Sequence, residues 1–483
     1  MDGWPDAALV GKRISALVAA PVRPVTRERA AADLAWFDER CPTSKRSAER
    51  MREVVPGGSQ HNLAFSKPFP LEVVRGSGAH LWDADGNRYT DLLQAGGATV
   101  LGTNHPVVLE AVTKVLAECG PATGMTHPYE LRLAELVRDL VPSVELFRML
   151  GSGTESAMAA IRAARAFTGK AHVVKVGGGY HGWSDQLVVG MRLPGTGPLE
   201  ATGVPPGAYA RTTEVFPGDE DALRDALVAN AADGGTAAVL VEPIGPESGT
   251  WPTTPEYQRR VRELCDEFGA LLVHDEVVSG FRLGLGGAQA LLGVTPDLTL
   301  FGKCVAGGYP GAGGVGGRRE VMEVFAGGMA AFGKRVFVGG TLAASAVSCA
   351  AGYHALVEME RVDAPGKASR AGDRLRAGLE RIVERHSLPY VAYNFGSIVH
   401  LNTTGILNLD LRSPESVAQA GDRLTALQEF GAAFTAEGLI TLAGSRLLTS
   451  MADTDDVVDD ALVRFERVLA GATTSAPAGP HPD

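Results

Sequence analysis

Cysteine is scarce and unpaired in this sequence. Cys41, Cys119, Cys265, Cys304 and Cys349 are odd in number, widely separated and without a C-x-x-C spacing. Neither a disulfide framework nor a metal site is expected from that pattern, which suits a reducing compartment. There is no basic run of the kind that grips nucleic acid, and a net charge of −11 disfavours a phosphate backbone as partner. No uninterrupted apolar stretch reaches about 18 residues, so no membrane-spanning helix is expected. Met1 to Asp6 is acidic and the apolar stretch near Leu17 is broken by Pro21 and Pro24, unlike a secretory leader. These absences lead to the expectation of a cytoplasmic protein whose partners are small molecules, with no nucleic acid and no membrane.

What is present is 483 residues, 45% hydrophobic and 21% charged. At about 100–200 residues per domain this makes two or three domains, with room for a large core. Residues 1–45 alternate Ala/Arg/Glu-rich helical pieces with prolines and read as an N-terminal extension. Residues 46–95 hold Ala79 to Leu93, AHLWDADGNRYTDLL, whose alternation around Asp85-Gly86 predicts a hairpin. Helical spacing follows at Val108–Cys119 and Tyr129–Leu140, and Ala157–Phe167 is an alanine-rich helix. Short apolar runs then appear at His172–Val176, Ala237–Val241, Leu271–Val273 and Leu298–Phe301, with a helix-like Tyr257–Phe268 before the third. Buried runs alternating with helices indicate a mostly parallel sheet covered on both faces, giving a large domain over 96–350. Helical stretches Ala343–Glu360 and Lys367–Arg385, short strands near Ser397–Leu401 and Ile440–Leu442, and a last helix near Asp455–Leu469 lead to a smaller domain over 351–472. The tail 473–483, TTSAPAGPHPD, is expected to be disordered.

Open parallel sheets bind ligands beyond the carboxyl ends of their strands, so the residues after each apolar run are the candidates. After Met149-Leu150 comes Gly151-Ser152-Gly153-Thr154-Glu155 at a helix start, suited to a phosphate; the S-x-x-E spacing of Ser152 and Glu155 equally suits a capping box. After Leu271–Val273 comes His274-Asp275-Glu276. Asp275 could pair with a pyridinium nitrogen, or cap the next helix, or bind a metal. After Leu298–Phe301 comes Gly302-Lys303-Cys304 and a glycine-rich stretch to Gly317, read as a flexible loop. Lys303 is the one lysine that directly follows a buried run there, and a partly desolvated amine can attack a carbonyl; the alternative is an ordinary solvated lysine. After Val176 lies G-x-G-x-x-G at Gly177, Gly179 and Gly182. A dinucleotide site would need a helix next and an acidic residue about 20 residues on, whereas Met191 to Gly195 is a Gly/Pro-rich loop. Tyr180 offers an aromatic face for a ring.

PGG at Pro56–Gly58, then LWDADGNRYTD, GSGTES, GGYHGWSD, VEPIGPESG, HDEVVSGFR, LFGKCVAGGYPGAGGVGG and GGTLAASAVSCAAG run in this order from about residue 45 to 470. Together they resemble the class III pyridoxal-phosphate-dependent aminotransferase family, and within it the glutamate-1-semialdehyde 2,1-aminomutase-like branch. The resemblance implies an α/β, fold-type I transferase: a large domain with a mostly parallel seven-stranded sheet between helices, and a smaller α+β domain built from both chain ends. It implies pyridoxal 5'-phosphate as cofactor and a homodimer with shared active sites. By position, Lys303 would be the Schiff-base lysine and the general base of a 1,3-proton shift, and Asp275 would pair with the pyridine nitrogen. Ser152, Gly153 and Thr154 would hold the phosphate, with Thr341 reaching that of the neighbouring subunit and Gly340 among the cofactor contacts. Tyr180 would stack on the ring with His181 among the cofactor contacts, Val277 would pack on the other face, and Glu242 would support the site from the strand beside Asp275. The apolar Val278 and the stretch from Met191 to Ala208, which can act as a gate, fit the aminomutase-like branch. One departure stands out: Ser59 to Phe65 contains no arginine after Pro56-Gly57-Gly58 to clamp a substrate carboxylate. Arg446 or Arg282 could take that task, and His61, Trp183 and Arg446 are the candidates for lining the substrate pocket. The expected function is an aminotransferase moving an amino group between an amino compound and an oxo compound. An intramolecular aminomutase is the alternative, and a catalytically silent relative the third reading.

Overall fold

Residues that are apolar at every position of a short run cannot show water a polar face, and the chain solves this by burying them between two layers of helices. In the computed structural model, which describes residues 4–62, 67–121, 124–199, 201–327, 335–442 and 444–472, the chain divides into two units. One comprises residues 1–7, 97–367 and 410–413; the other comprises 8–96, 368–409 and 414–483. The expected boundary at 350 lies inside the unbroken helix Ala346–Val362. The helices of the first 45 residues are part of the second unit. The tail from Thr473 and residues Leu63 to Phe65 lie outside the described residues.

The second unit begins with helices Ala7–Ala19, Arg27–Arg40 and Pro42–Val54. Strands β1 (Val73–Ser77), β2 (His80–Asp83) and β3 (Arg88–Asp91) follow as antiparallel neighbours. The expected hairpin is β2–β3, turning through Gly86 at φ 87°, a conformation that favours glycine. Asp85 in the same turn accepts from the backbone N–H groups of Thr43 (3.0 Å) and Ser44 (3.3 Å). It thereby caps helix Pro42–Val54, whose own N-cap residue, Cys41, makes no side-chain cap.

The first unit is built on seven strands. They are β4 (Leu146–Leu150), β5 (His172–Val176), β6 (Thr212–Val215), β7 (Thr236–Val241), β8 (Leu271–Asp275), β9 (Leu298–Gly302) and β10 (Gly313–Gly317), in spatial order β4-β10-β9-β8-β7-β5-β6. The five from β9 to β6 are parallel, and β10 runs antiparallel to both its neighbours. Alternate side chains take opposite faces. Ala238, Leu240, Val273 and Leu300 pack with helix Gly153–Thr168, which meets the sheet through Ala157, Ala160, Ala163 and Ala164. Val239, Val241 and Leu272 pack with Leu223, Leu227, Val261 and Leu264 of the helices on the other side. Each such buried Val or Leu is worth about 1.5–3 kcal/mol over its exposed state.

β10 corrects the expectation of a flexible glycine loop after Lys303. Gly313 to Gly317 is an inner, fully buried strand. Its glycines let neighbours come close: a Cβ on Gly314 would sit 2.5 Å from the Phe147 ring, and one on Gly316 would sit 2.7 Å from Val144.

The second unit resumes with β11 (Val391–Phe395), β12 (Ile398–Asn402), β13 (Leu439–Ile440) and β14 (Arg446–Leu448). β11-β12-β14 form a small antiparallel sheet, and β13 joins β3 in parallel. Among the described residues no helix is long and apolar enough to cross a membrane, and no group of three or more metal-binding side chains is present.

Candidate active site

The site is assembled where β8, β9, β7 and β5 end. Asp275 is the last residue of β8 and is 5% exposed. Its Oδ2 lies 2.7 Å from His181 Nδ1, and its Oδ1 accepts from the Val277 N–H at 3.0 Å. The carboxylate is therefore held from two sides. His181 is buried too; burial lowers its pKa, although the hydrogen bond and charge of Asp275 act the other way. Its Nε2 is a buried nitrogen with no hydrogen-bond partner among the described residues. Sequence reasoning put His181 among the cofactor contacts through the resemblance alone. Its bond to Asp275 joins residues 94 positions apart, and no local signal announces such a pair.

The helix-capping alternative weighed for Asp275 falls instead to Glu276. That carboxylate is buried, accepts from the N–H groups of Ala288 (2.8 Å) and Gln289 (2.9 Å), and receives Ser279 Oγ at 2.6 Å. It caps helix Gly287–Leu292. Burial raises its pKa, and those hydrogen bonds oppose the rise.

Lys303 follows β9, the parallel neighbour of β8, and is half-buried. Its φ is +46°, in the left-handed region that non-glycine residues seldom occupy. Strain of this kind persists where the surrounding structure over-determines it, typically at functional sites. Cys304 anchors the next turn, its thiol donating to the Gly97 carbonyl at 3.3 Å.

Ser152 caps helix Gly153–Thr168, its Oγ accepting from the Glu155 N–H at 3.2 Å. Glu155 turns back to accept from the Gly151 N–H at 2.7 Å. The cap uses the Glu155 N–H and leaves those of Gly153 and Thr154 as first-turn donors without intrahelical acceptors, so it does not compete with an anion for them. Val277 packs over this cradle. A Cβ on Gly153 would come within 3.1 Å of it, and one on Gly302 within 2.8 Å.

The loop after β5 closes the arrangement. Gly182, at φ +85°, lies so close to the helix start that a Cβ there would meet Thr154 Cα at 2.6 Å. No helix follows: Met191 bridges back to Gly178, which removes the context a dinucleotide site requires. Tyr180 keeps 41% of its surface exposed while its N–H donates to Glu242 Oε1 at 3.1 Å. Glu242, just past β7, also accepts from the N–H of Glu247 (2.7 Å) and from the N–H and hydroxyl of Ser248. Burial, with the charge of Asp275 adding to it, pushes the Glu242 carboxyl up to about 8.

Gly340 and Thr341 are exposed. A Cβ on Gly340 would stand 3.6 Å from Glu155 Oε2, so this segment passes the phosphate-type cradle of its own chain. It also borders a cavity of about 420 Å³ lined by Arg148, Leu150, Ala343 and Cys349 among others. Trp183 is 73% exposed. His61 is exposed and Arg446 half-buried, and both belong to the second unit. Arg282 does not offer a carboxylate clamp: it is fully buried, with Nε donating to the Gly97 carbonyl at 3.0 Å.

A buried, anchored carboxylate, a half-buried lysine, an aromatic face and an anion cradle stand together at one end of the sheet. Pyridoxal phosphate needs these partners: an acid for the ring nitrogen, an amine for the aldehyde, and N–H donors for the phosphate. The glycine positions beside Val277, where a Cβ would intrude, fit the group.

Comparisons with known proteins identify the family and the fold. The family model described as aminotransferase class-III matches residues 64–469. A glutamate-1-semialdehyde 2,1-aminomutase from Acetivibrio thermocellus is 38% identical over 364 residues, covering 74% of this chain and 82% of that protein. Among solved structures, an omega-transaminase from Sphaerobacter thermophilus superposes with a TM-score of 0.80 at 32% identity, over 90% of this chain and 99% of the other. A transaminase with PLP bound does so with a TM-score of 0.78 at 28% identity, over 89% and 98%.

Proposed function

The chain belongs to the class III aminotransferase family and is a pyridoxal-phosphate-dependent enzyme of fold type I; from that premise we propose that Lys303 is its catalytic amine, in a two-substrate transfer of an amino group from an amine or amino acid to an oxo acceptor. The observation that carries the assignment is the placement of Lys303 in a left-handed, half-buried conformation beside the strand that ends in Asp275. When bound, the cofactor draws electrons from the carbon that carries the migrating nitrogen. Lys303 Nζ takes the proton from that carbon and returns it on the way to product, serving as base and then acid. Asp275, held by His181 and by the Val277 N–H, keeps a proton on the ring nitrogen. Gly153 and Thr154 would donate to the phosphate, with Ser152 at their head, and Tyr180 and Val277 would hold the ring. Glu242 fixes Tyr180 through its backbone.

An intramolecular aminomutase uses the same residues, and the likeness to a glutamate-1-semialdehyde 2,1-aminomutase favours it. Against it stand the arginine-free stretch after Pro56-Gly57-Gly58 and the burial of Arg282. Both reduce the means of gripping an amino acid's carboxylate. Incubating the holoenzyme with single amino compounds and no oxo acceptor separates the two. Turnover that stops after one equivalent supports the transferase, and sustained turnover rejects it.

We assign the protein a cytoplasmic location on its thiol pattern. A homodimer in which Thr341 of each chain completes its partner's phosphate site is supported by the exposure of Thr341 beside the cradle helix. Borohydride reduction and peptide mapping test the central assignment. The pyridoxyl label should fall on Lys303 and vanish in Lys303→Ala along with turnover, the fold being retained; a label elsewhere rejects it.

A further inference from the structure

Lys175 is a lysine with no exposed surface, in the middle of a parallel sheet. It shares a sheet face with Val173, the face on which helix Gly153–Thr168 packs. Its Nζ donates to three backbone carbonyls: Gly179 at 3.1 Å, Leu187 at 3.0 Å and Val189 at 2.8 Å. Three donations need three N–H bonds, so the geometry is that of an ammonium ion. A buried charge is costly unless it is compensated, and here Glu214 and Glu242 favour the charge while burial opposes it and brings the group down to about 8.

The three carbonyls bracket a single loop. Between them lie Tyr180, whose N–H reaches Glu242, His181, which holds Asp275, and Gly182, which lies against Thr154. The loop is tied at its mouth by the Gly178 N–H on the Gly190 carbonyl at 2.8 Å. Inside that tie Lys175 holds three of the loop's carbonyls at once, while Arg165 and Thr212 hold Gln186 alone, at its side chain (2.7 Å) and its carbonyl (2.9 Å). We propose that Lys175 is a positioning residue, whose ammonium ion shapes the 177–190 loop so that His181 meets Asp275 and Gly182 meets the phosphate cradle. It touches neither substrate nor cofactor, and it acts by setting the partner of the cofactor's ring nitrogen. Its carbonyl bonds also explain why a second strand lysine near the site does not compete with Lys303 for the aldehyde.

This inference rests on the assignment of Lys303 and Asp275 to the cofactor, and its test separates the two. Lys175→Met keeps the length and removes every donor; Lys175→Gln, made beside it, is smaller and keeps two. In whichever variant folds by circular dichroism, the borohydride label should still fall on Lys303. The dissociation constant for pyridoxal phosphate should rise about ten-fold or more, since hydrogen bonds from a charged donor are worth about 1.5–3 kcal/mol each. The visible absorbance of the bound cofactor, and the pH at which it titrates, should shift because His181 no longer fixes Asp275. A native spectrum and titration in a folded variant overturn the proposal, whether or not affinity has fallen, because a purely structural lysine would leave them unmoved. Loss of the label from Lys303 in the unmutated protein would instead overturn the parent assignment.

Discussion

Replacing Gly182 by alanine puts one methyl group where the structure leaves no room. The new Cβ would stand 2.5 Å from Thr154 Oγ1, 2.6 Å from its Cα and 2.8 Å from its Cβ, so that turning the side chain aside would still leave the backbone in the way. The residue's φ of +85° adds about 1–2 kcal/mol for any L-residue. Overpacking against a main chain that is itself the start of a buried helix adds about 1–3 kcal/mol. The sum, about 2–5 kcal/mol, is relieved only by moving the loop or the first turn of helix Gly153–Thr168. Either movement spoils the cradle. Charged wholly to binding, it weakens pyridoxal phosphate by about thirty-fold at the low end and more than a thousand-fold at the high end. The measurement is a titration of the apoenzyme with the cofactor. Gly218→Ala serves as the control, since Gly218 has a similar φ of +78° but nothing within 4 Å of its would-be Cβ. Gly218→Ala should lose about 1–2 kcal/mol of stability and keep native affinity. If Gly182→Ala binds the cofactor within about two-fold of the native protein, the contact between this loop and the phosphate cradle is not what holds the site together.

Asp275→Asn should retain the cofactor, because one side-chain oxygen still accepts from the Val277 N–H while the new amide N–H can donate to His181 Nδ1, yet lose turnover by about a hundred-fold or more for want of a charge to protonate the ring nitrogen; steady-state rates near native would remove that role. Arg423→Ala should destabilise the second unit by about 3 kcal/mol or more in urea unfolding, since its guanidinium, 1% exposed, donates to the carbonyls of Thr404 (2.5 Å), Val18 (2.7 Å) and Ala20 (2.8 Å); an unchanged midpoint would contradict it. For pH, Glu242 is pushed up from 4.5 to about 8, so the folded protein binds that proton more readily than the unfolded chain. Its contribution to stability is full below about pH 4.5 and is lost as the pH rises through about 8; unfolding midpoints across that range should fall less steeply in Glu242→Gln, and parallel curves would refute the link.

The fold was most legible where burial is two-sided. His172–Val176 and Leu298–Phe301 are apolar enough, and short enough, to read as inner strands without any periodicity, and both are strands. β10 escaped for the opposite reason. Gly-Gly-Val-Gly-Gly carries almost no hydropathy signal, because its fitness for the sheet lies in what it omits: side chains that would collide with Phe147 and Val144. β6, at the sheet's edge, has the half-exposed pattern Thr212-Thr213-Glu214 and no run to find. Helix Gly153–Thr168 was read from Ala157 onward, since its first turn is composed of the small and polar residues that build the cradle.

At the site, strand ends pointed to Asp275 and Lys303, but the choice between neighbouring acids turns on which way each side chain leaves the strand, and that follows from parity. Val273 packs with the alanine-rich helix and Leu272 with the helices opposite. Side chains two apart share a face, so Asp275 leaves on the side of the helix whose first turn is the proposed anion cradle. Glu276 does not, and its carboxylate goes to the amides of Ala288 and Gln289 instead. Lys175 obeys the same rule. It follows Val173 by two, and so lies on Asp275's side of the sheet. The linear sequence shows only an acid pair and a lysine in a strand. What assigns them is the face of the sheet each one occupies, and that is settled by the packing of Val173 and Val273 rather than by anything in the charged residues themselves.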